Sequence, residues 1–336
     1  MLNNFKRKNI KTIAYVALIS VMVIWGVSPI LTNVLYERNS ASITTFATTI
    51  MSVIALFIMA IPHLKDFNKA CLKVAIPTGL FNSVAAVLQK IGLQYTTPTQ
   101  YQFLENLSCV VVPILLLILI RKKPSALVLV ASAMCLLSSF ILTGMLNTGF
   151  SMGIGQILCA LAGVFYGFNI AATGVYAKKL NAVIYVFIQM CVQVVVSLIT
   201  VLALHFIKGA DGQPIESIQF SWRFADLAII VISGVFISAF CWIVRTKVMK
   251  HVSPTAVAII MPFSAVVTGI VSVILGEDPL STNLILGAFL GLIAAILSGI
   301  GDTVDEKQRK QKLLLEKEKQ EANEKQATEA KKETKA

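Results

Sequence analysis

Apolar and polar residues fall along this chain in long blocks. Runs of twenty or more mostly apolar residues alternate with loops of a few polar or charged ones. A helix needs about 20 such residues to cross the hydrocarbon core of a bilayer. On that rule the pattern predicts about ten spans: 12–35, 42–61, 72–94, 98–120, 125–145, 153–176, 182–207, 225–248, 254–275 and 281–300. The loops leave room for little except helical hairpins, so the expected fold class is an all-α membrane protein. Four regions follow: a basic N-terminus (1–11), a first group of five spans (12–145), a second group of five (153–301) and a charged tail (302–336).

The two groups read as copies. Thr97-Pro98-Thr99 and Ser253-Pro254-Thr255 each stand between two long apolar runs, 156 positions apart (253 minus 97). Trp25-Gly26 maps onto Tyr166-Gly167, and Phe46 onto Phe187, at an offset of 141 (166 minus 25). Five spans is an odd number, so the second copy is inverted relative to the first. Two inverted five-helix repeats place a cavity near the bilayer midplane, between bundles able to rock against each other.

Composition agrees with this pattern. The chain is 56% hydrophobic and 14% charged, against roughly 25% charged in soluble domains. A net charge of +12 would suggest nucleic acid, but most Lys and Arg sit in short loops between apolar runs, so no nucleic-acid partner is expected. The basic clusters are Lys6 to Lys11, Lys65 to Lys73, Arg121 to Lys123, Lys178-Lys179, and Arg245 with Lys247 and Lys250. The alternate loops are nearly bare or acidic, and 208–224 balances Lys208 and Arg223 against Asp211 and Glu216. Positive charge marks the cytoplasmic side, so a multi-pass protein of the cytoplasmic membrane with both termini inside is expected. The first apolar run is too long for a signal-peptide core and reads as a retained span. The tail from Asp302 onward reads as a solvated segment, with anionic lipid as the alternative contact. The six cysteines form no CxxC pair, so neither a zinc site nor a disulfide framework is indicated. No cofactor is expected.

The second half carries a recognisable set of features: the Ser-Pro-Thr hairpin at Pro254, the mid-helix Pro262, Gly276-Glu277 closing the ninth span, and a Gly-rich tenth span. The set resembles the EamA-type branch of the drug/metabolite transporter superfamily. The first half matches more loosely, through Trp25-Gly26, the hairpin at Pro98 and Pro113, with Arg121 standing where Glu277 stands in the second half. The resemblance spans about residues 12–301. It implies ten helices, two inverted repeats and small-molecule transport, usually export.

Small residues recur every fourth position in the tenth span at Gly287, Gly291, Ala295 and Gly299, and in the fifth at Ala131, Cys135, Ser139 and Thr143. Such a face lets another backbone approach closely. Packing within the chain is the leading reading, and a homodimer contact the alternative. Gly163, Gly167 and Ala171 make a similar ridge in the sixth span.

The fourth span opens with polar groups, of which Gln102, Glu105 and Asn106 share one helix face. Glu105 lies roughly 12 Å below the hairpin at ~1.5 Å per residue. Ionisable groups at that depth usually face a cavity or a partner. Lys90, on the preceding antiparallel span, lies at comparable depth. Three readings stay open: a Lys90–Glu105 ion pair; a snorkelling Lys90 with Glu105 as a substrate or proton site; or both residues on a zwitterionic substrate. The second copy holds Thr246 and Met261 at these positions, so the fold does not need the charges. Trp25 and Tyr166 occupy equivalent places in the repeats and are candidates to line the cavity, with plain packing as the alternative. Asn169, Gln189 and Trp242 complete the candidates. The Thr44-Thr45 and Thr48-Thr49 pairs are expected to hydrogen-bond between helices.

Enzyme readings fare badly. Gly149 to Gly153 satisfies GxSxG, but in a loop between helices rather than at a strand-to-helix turn. His63 and His251 fall at expected cytoplasmic ends, His205 lies near an outer end with no acid beside it, and no P-loop or HExxH motif is present. The expectation is a secondary transporter that exports a small organic metabolite, such as an amino acid, by alternating access. Uptake, or a lipid-handling or signalling protein on the same fold, is the alternative.

Overall fold

A computed structural model describes residues 2–96, 101, 104–121, 123–142, 153–208, 213–276, 281–301 and 303–305, with positions 311 and 315 of the tail. Pro98, Gln102 and Glu277 lie outside the described residues. Among the described residues ten helices form: α1 (Leu2–Tyr36), α2 (Ala41–Ala60), α3 (Lys69–Leu93), α4 (Ser108–Ile120), α5 (Ala126–Leu142), α6 (Ile154–Tyr176), α7 (Ala182–Phe206), α8 (Phe224–Val248), α9 (Pro254–Ile274) and α10 (Thr282–Asp305). Eight are long and apolar enough to span a membrane; α4 and α5 are shorter and apolar. Exposed Ile, Leu and Phe side chains stud the helices' outer faces, as lipid-facing surfaces require.

Two predicted spans are broken rather than continuous. The fourth was expected to run through 98–120, but its backbone turns at Asn106-Leu107 and regular helix resumes at Ser108. The ninth consists of Pro254–Ile260 and Phe263–Ile274 with a turn at Met261-Pro262. Both breaks use i to i+3 bonds: Cys109 N donates to Asn106 O (2.9 Å) and Ala265 N to Pro262 O (3.0 Å). The bonded residues differ by the repeat offset of 156 (265 minus 109, 262 minus 106). Proline explains the second break, since it lacks an N–H and clashes with the preceding turn. A third irregularity is a π-helical stretch, Ser233–Phe240, within α8.

The repeat also governs packing. The first helix of each half rests on the fourth helix of the other half. A Cβ on Gly26 would fall 2.6 Å from Ser264 O and 2.6 Å from Val267 Cβ. A Cβ on Gly167 would fall 2.7 Å from Val111 Cγ1 and 3.6 Å from Ser108 Cα. Ser108 and Val111 are Ser264 and Val267 minus 156. Each contact needs glycine because a backbone-distance approach leaves no room for a methyl group. The small-residue face of α10 is used within the chain: Ser138 Oγ of α5 donates to Gly287 O (2.7 Å) and would meet a Cβ on Gly291 at 2.8 Å.

The largest apolar cluster joins Leu18, Val21 and Met22 of α1 to Val248, Met249 and Val252 at the end of α8 and to Val257 of α9. It lies toward the end of the molecule that carries the basic loops. At the opposite end, residues 213–223 lie over the α1–α2 corner. Glu216 accepts from Ala41 N (2.7 Å), Ser42 N (3.2 Å) and Gln94 Nε2 (3.0 Å). Ser221 N donates to Asn39 Oδ1 (2.8 Å). Glu216 thus supplies the acceptor that the first amides of α2 lack within their own helix and favours the positive end of its dipole.

Candidate functional site

Between the halves lies a cavity of about 100 Å³. Each water needs roughly 10–15 Å³ of such space, so it has room for several waters or one compact solute. Its walls come from α1–α3, the turn before α4, and α6–α9; among the described residues α5 and α10 contribute none. The lining is polar where a lipid-filled gap would be apolar: Thr32, Thr45, Asn82, Gln89, Glu105 and Gln193 are among its residues. Both helix breaks open onto it through Glu105-Asn106 and Met261.

Glu105 is placed by the first break. Gly163 of α6 brings its Cα against Leu104 O and Glu105 O, so close that a Cβ there would lie 2.5 and 2.9 Å from them. The Glu105 carboxylate accepts from Gln89 Nε2 (3.0 Å) and from the Tyr101 hydroxyl. Gln89 Nε2 also meets the Tyr101 oxygen, and Gln89 Oε1 accepts from the Tyr166 hydroxyl (2.7 Å). One glutamine therefore ties Tyr166, from the second half, to Glu105 in the first.

Lys90 and Glu105 face the same cavity but form no direct ion pair, and Lys90 does not snorkel outward. Its ammonium donates to Thr32 Oγ1 (3.0 Å) on α1, while Tyr36 OH donates to the Lys90 carbonyl (3.1 Å). The last turn of α3 therefore meets the last turns of α1 through Thr32 and Tyr36.

Arg245 corrects the sequence reading most. It was counted with Lys247 and Lys250 as a loop charge; it is 1% exposed and lines the cavity. The apolar layer of Val248, Met249 and Val252 lies beyond it. Its Nη2 donates to Asn169 Oδ1 (2.7 Å), and its guanidinium stacks 4.2 Å from the Trp242 ring centroid. Its Nε and Nη1 have no hydrogen-bond partner among the described residues. Sequence held one available signal: Arg245 is Gln89 plus 156, the repeat counterpart of the residue that holds Glu105.

The remaining candidates divide into lining and support. Trp25 lines the cavity, donates from Nε1 to Ile237 O (2.9 Å) in the π-helical stretch, and lies 5.6 Å from the Trp242 ring. Asn106 lines the cavity and donates to Ser139 Oγ (3.3 Å). Asn169 and Gln189 stand behind the wall. Asn169 Nδ2 donates to Thr78 O (2.9 Å), and Gln189 Nε2 to Thr78 Oγ1 (2.9 Å) and Tyr185 OH (3.0 Å). Pro254 opens α9 with its ring against Gly174, and Pro262 sits at the second break. The threonines depart from expectation: Thr45, Thr48 and Thr49 each donate to a carbonyl of their own helix. Only Thr49 also reaches across, accepting from Gln193 Nε2 (3.2 Å). A threonine hydroxyl finds the i−4 carbonyl within its own turn before it finds a neighbour.

Comparison with known proteins matches the family model described as "EamA-like transporter family" twice, over residues 12–144 and 153–300. No curated protein sequence matches the chain. A solved crystal structure, titled only "Crystal structure of protein", superposes with a TM-score of 0.68 at 12% identity. The match covers 87% of this chain and 98% of that one, a likeness of fold.

Proposed function

The chain belongs to the EamA-like transporter family, and from that premise we propose that it is a secondary transporter moving a small organic metabolite by alternating access. One observation carries the reading: a polar, charge-bearing cavity between two repeat-related bundles, at the point where both the fourth and the ninth helices are broken. Broken helices at corresponding places in two repeats characterise midplane substrate sites, because freed backbone and polar side chains can then face a solute. Glu105 is the group proposed to take up the substrate or a coupled proton. Export is the favoured direction, and the basic loops support a cytoplasmic-membrane setting with both termini inside.

The test is flux. Purified full-length protein in proteoliposomes preloaded with a broad pool of metabolites is expected to release one chemical class of solute faster than protein-free vesicles. Release of none would overturn the reading and favour a lipid-handling or signalling role. Metabolite levels in cells with and without the protein separate export, which lowers the internal pool, from uptake, which raises it.

A further inference from the structure

We propose that Arg245 is the anchor for a substrate carboxylate, so that the transported solute is a small carboxylic acid or amino acid. The inference rests on the transport reading above and adds the substrate's chemical class. Arg245 is fully buried, yet Nε and Nη1 are unpartnered. A buried charge without acceptors is costly, and an acceptor arriving in the cavity would remove that cost. Planar guanidinium matches a carboxylate closely, through paired N–H donors that an ammonium cannot present.

The surroundings hold the guanidinium in place without neutralising it. Asn169 fixes one nitrogen and is itself held by Thr78. Thr78 Oγ1 bonds the Tyr185 hydroxyl (2.7 Å), which bonds Thr173 Oγ1 (2.8 Å). Trp242 covers one face of the guanidinium, a cation–π contact that steadies the charge while leaving the edge donors free. Every support is neutral. A structural arginine would be expected to meet a carboxylate, and Glu105, the acidic group on the cavity wall, is held instead by Gln89 and Tyr101. Among the described residues the wall thus carries two cations, Lys90 and Arg245, against one acid, and the excess favours a solute that brings negative charge. Lys90 spends one of its three donors on Thr32 and acts as a point charge, whereas Arg245 presents two unpartnered nitrogens of one planar fork.

The experiment loads wild-type proteoliposomes with a pool of common amino acids and short hydroxy- and keto-acids, each beside its carboxamide counterpart, together with simple amines and sugars, and follows release by mass spectrometry. Carboxylates are expected to leave and their amides to stay. Release of the amides as fast as the acids, or of amines or sugars alone, overturns the proposal while transport itself stands. Release of nothing overturns both. Arg245→Gln is expected to slow carboxylate release about 100-fold, the scale of removing one buried charge-assisted partner, and Arg245→Lys to retain a part of it. Wild-type release by Arg245→Gln counts against the proposal. Should that variant fail to fold, the acid–amide comparison on wild type still decides. Glu105→Gln separates two roles for the acid: loss of amino acids with hydroxy-acids spared means that Glu105 receives an amine, and loss of both means that it serves transport of either class.

Discussion

The two helix breaks occupy matching places in the two halves and are built by different chemistry. At Met261-Pro262 the break is set by proline, and Met261 and Thr246, the repeat counterparts of Glu105 and Lys90, carry no charge. At Asn106-Leu107 no proline is needed. Asn106 bonds Ser139, Gly163 receives the carbonyls of Leu104 and Glu105, and Gln89 and Tyr101 hold Glu105 itself. The shape of the break is symmetric because both copies must pack the same way against the opposite half. The chemistry is asymmetric because a solute has to be held by particular groups, and those groups need appear only once. Arg245 and Gln89 sharpen the contrast: equivalent positions, one an amide that organises an acid, the other a cation left open.

The largest expected effect tests that asymmetry. Glu105→Gln keeps the side chain's size and one acceptor oxygen while removing its charge, and flux in proteoliposomes is expected to fall by about 100-fold, a loss of roughly 3 kcal/mol at 1.36 kcal/mol per tenfold, with normal membrane insertion. Wild-type flux would remove Glu105 from the mechanism. Next come the symmetric contacts. Gly26→Leu and Gly167→Leu should each overpack a helix crossing and cost about 1–3 kcal/mol, read as thermal unfolding in detergent. Their costs should be similar, and a large inequality would show that the two crossings are not equivalent. A smaller effect separates the paired aromatics. Tyr166→Phe loses the bond that orients Gln89 and is expected to lower flux about tenfold, whereas Trp25→Phe loses a bond to Ile237 O and is expected to lower stability by about 1 kcal/mol. The reverse assignment would mean that Trp25, not the Tyr166–Gln89 bond, controls the cavity. The smallest effect lies at the end away from the basic loops. Glu216→Ala removes the acceptor for Ala41 and Ser42, about 0.5–1 kcal/mol for a helix N-terminus, and should speed hydrogen exchange at those two amides severalfold. Unchanged exchange would mean that residues 213–223 cover the corner without holding it.

Much of this was legible in the chain. The ten helices overlie the ten apolar blocks, with α1 starting ten residues early, α9 broken within its block, and the polar mouth of the fourth left out of the regular helix. The cavity candidates Glu105, Lys90, Asn106, Trp25, Tyr166 and Trp242 all line one space. What could not be read was pairing. Lys90 finds Thr32 rather than Glu105, a choice set by how the helices assemble around the cavity. Asn169 and Gln189 look as polar as Gln193 in sequence, yet a rotation about their helix axes puts them behind the wall. Arg245 was hidden by position: three residues from the end of α8 and two from Lys247, it looks like a loop charge.

The sequence by itself determined the spans, their number and the repeat, because each is a local property: an apolar segment meets lipid whatever its neighbours do, and repeats are visible letter by letter. Only the tertiary structure decided which charges stay inside and which donors stay open. Arg245 is buried because Met249 and Val252 follow it into the same apolar layer as Leu18 and Met22, more than 200 residues earlier in the chain. That layer exists only once α1, α8 and α9 have packed, and packing across such a separation leaves no mark on the residues around Arg245.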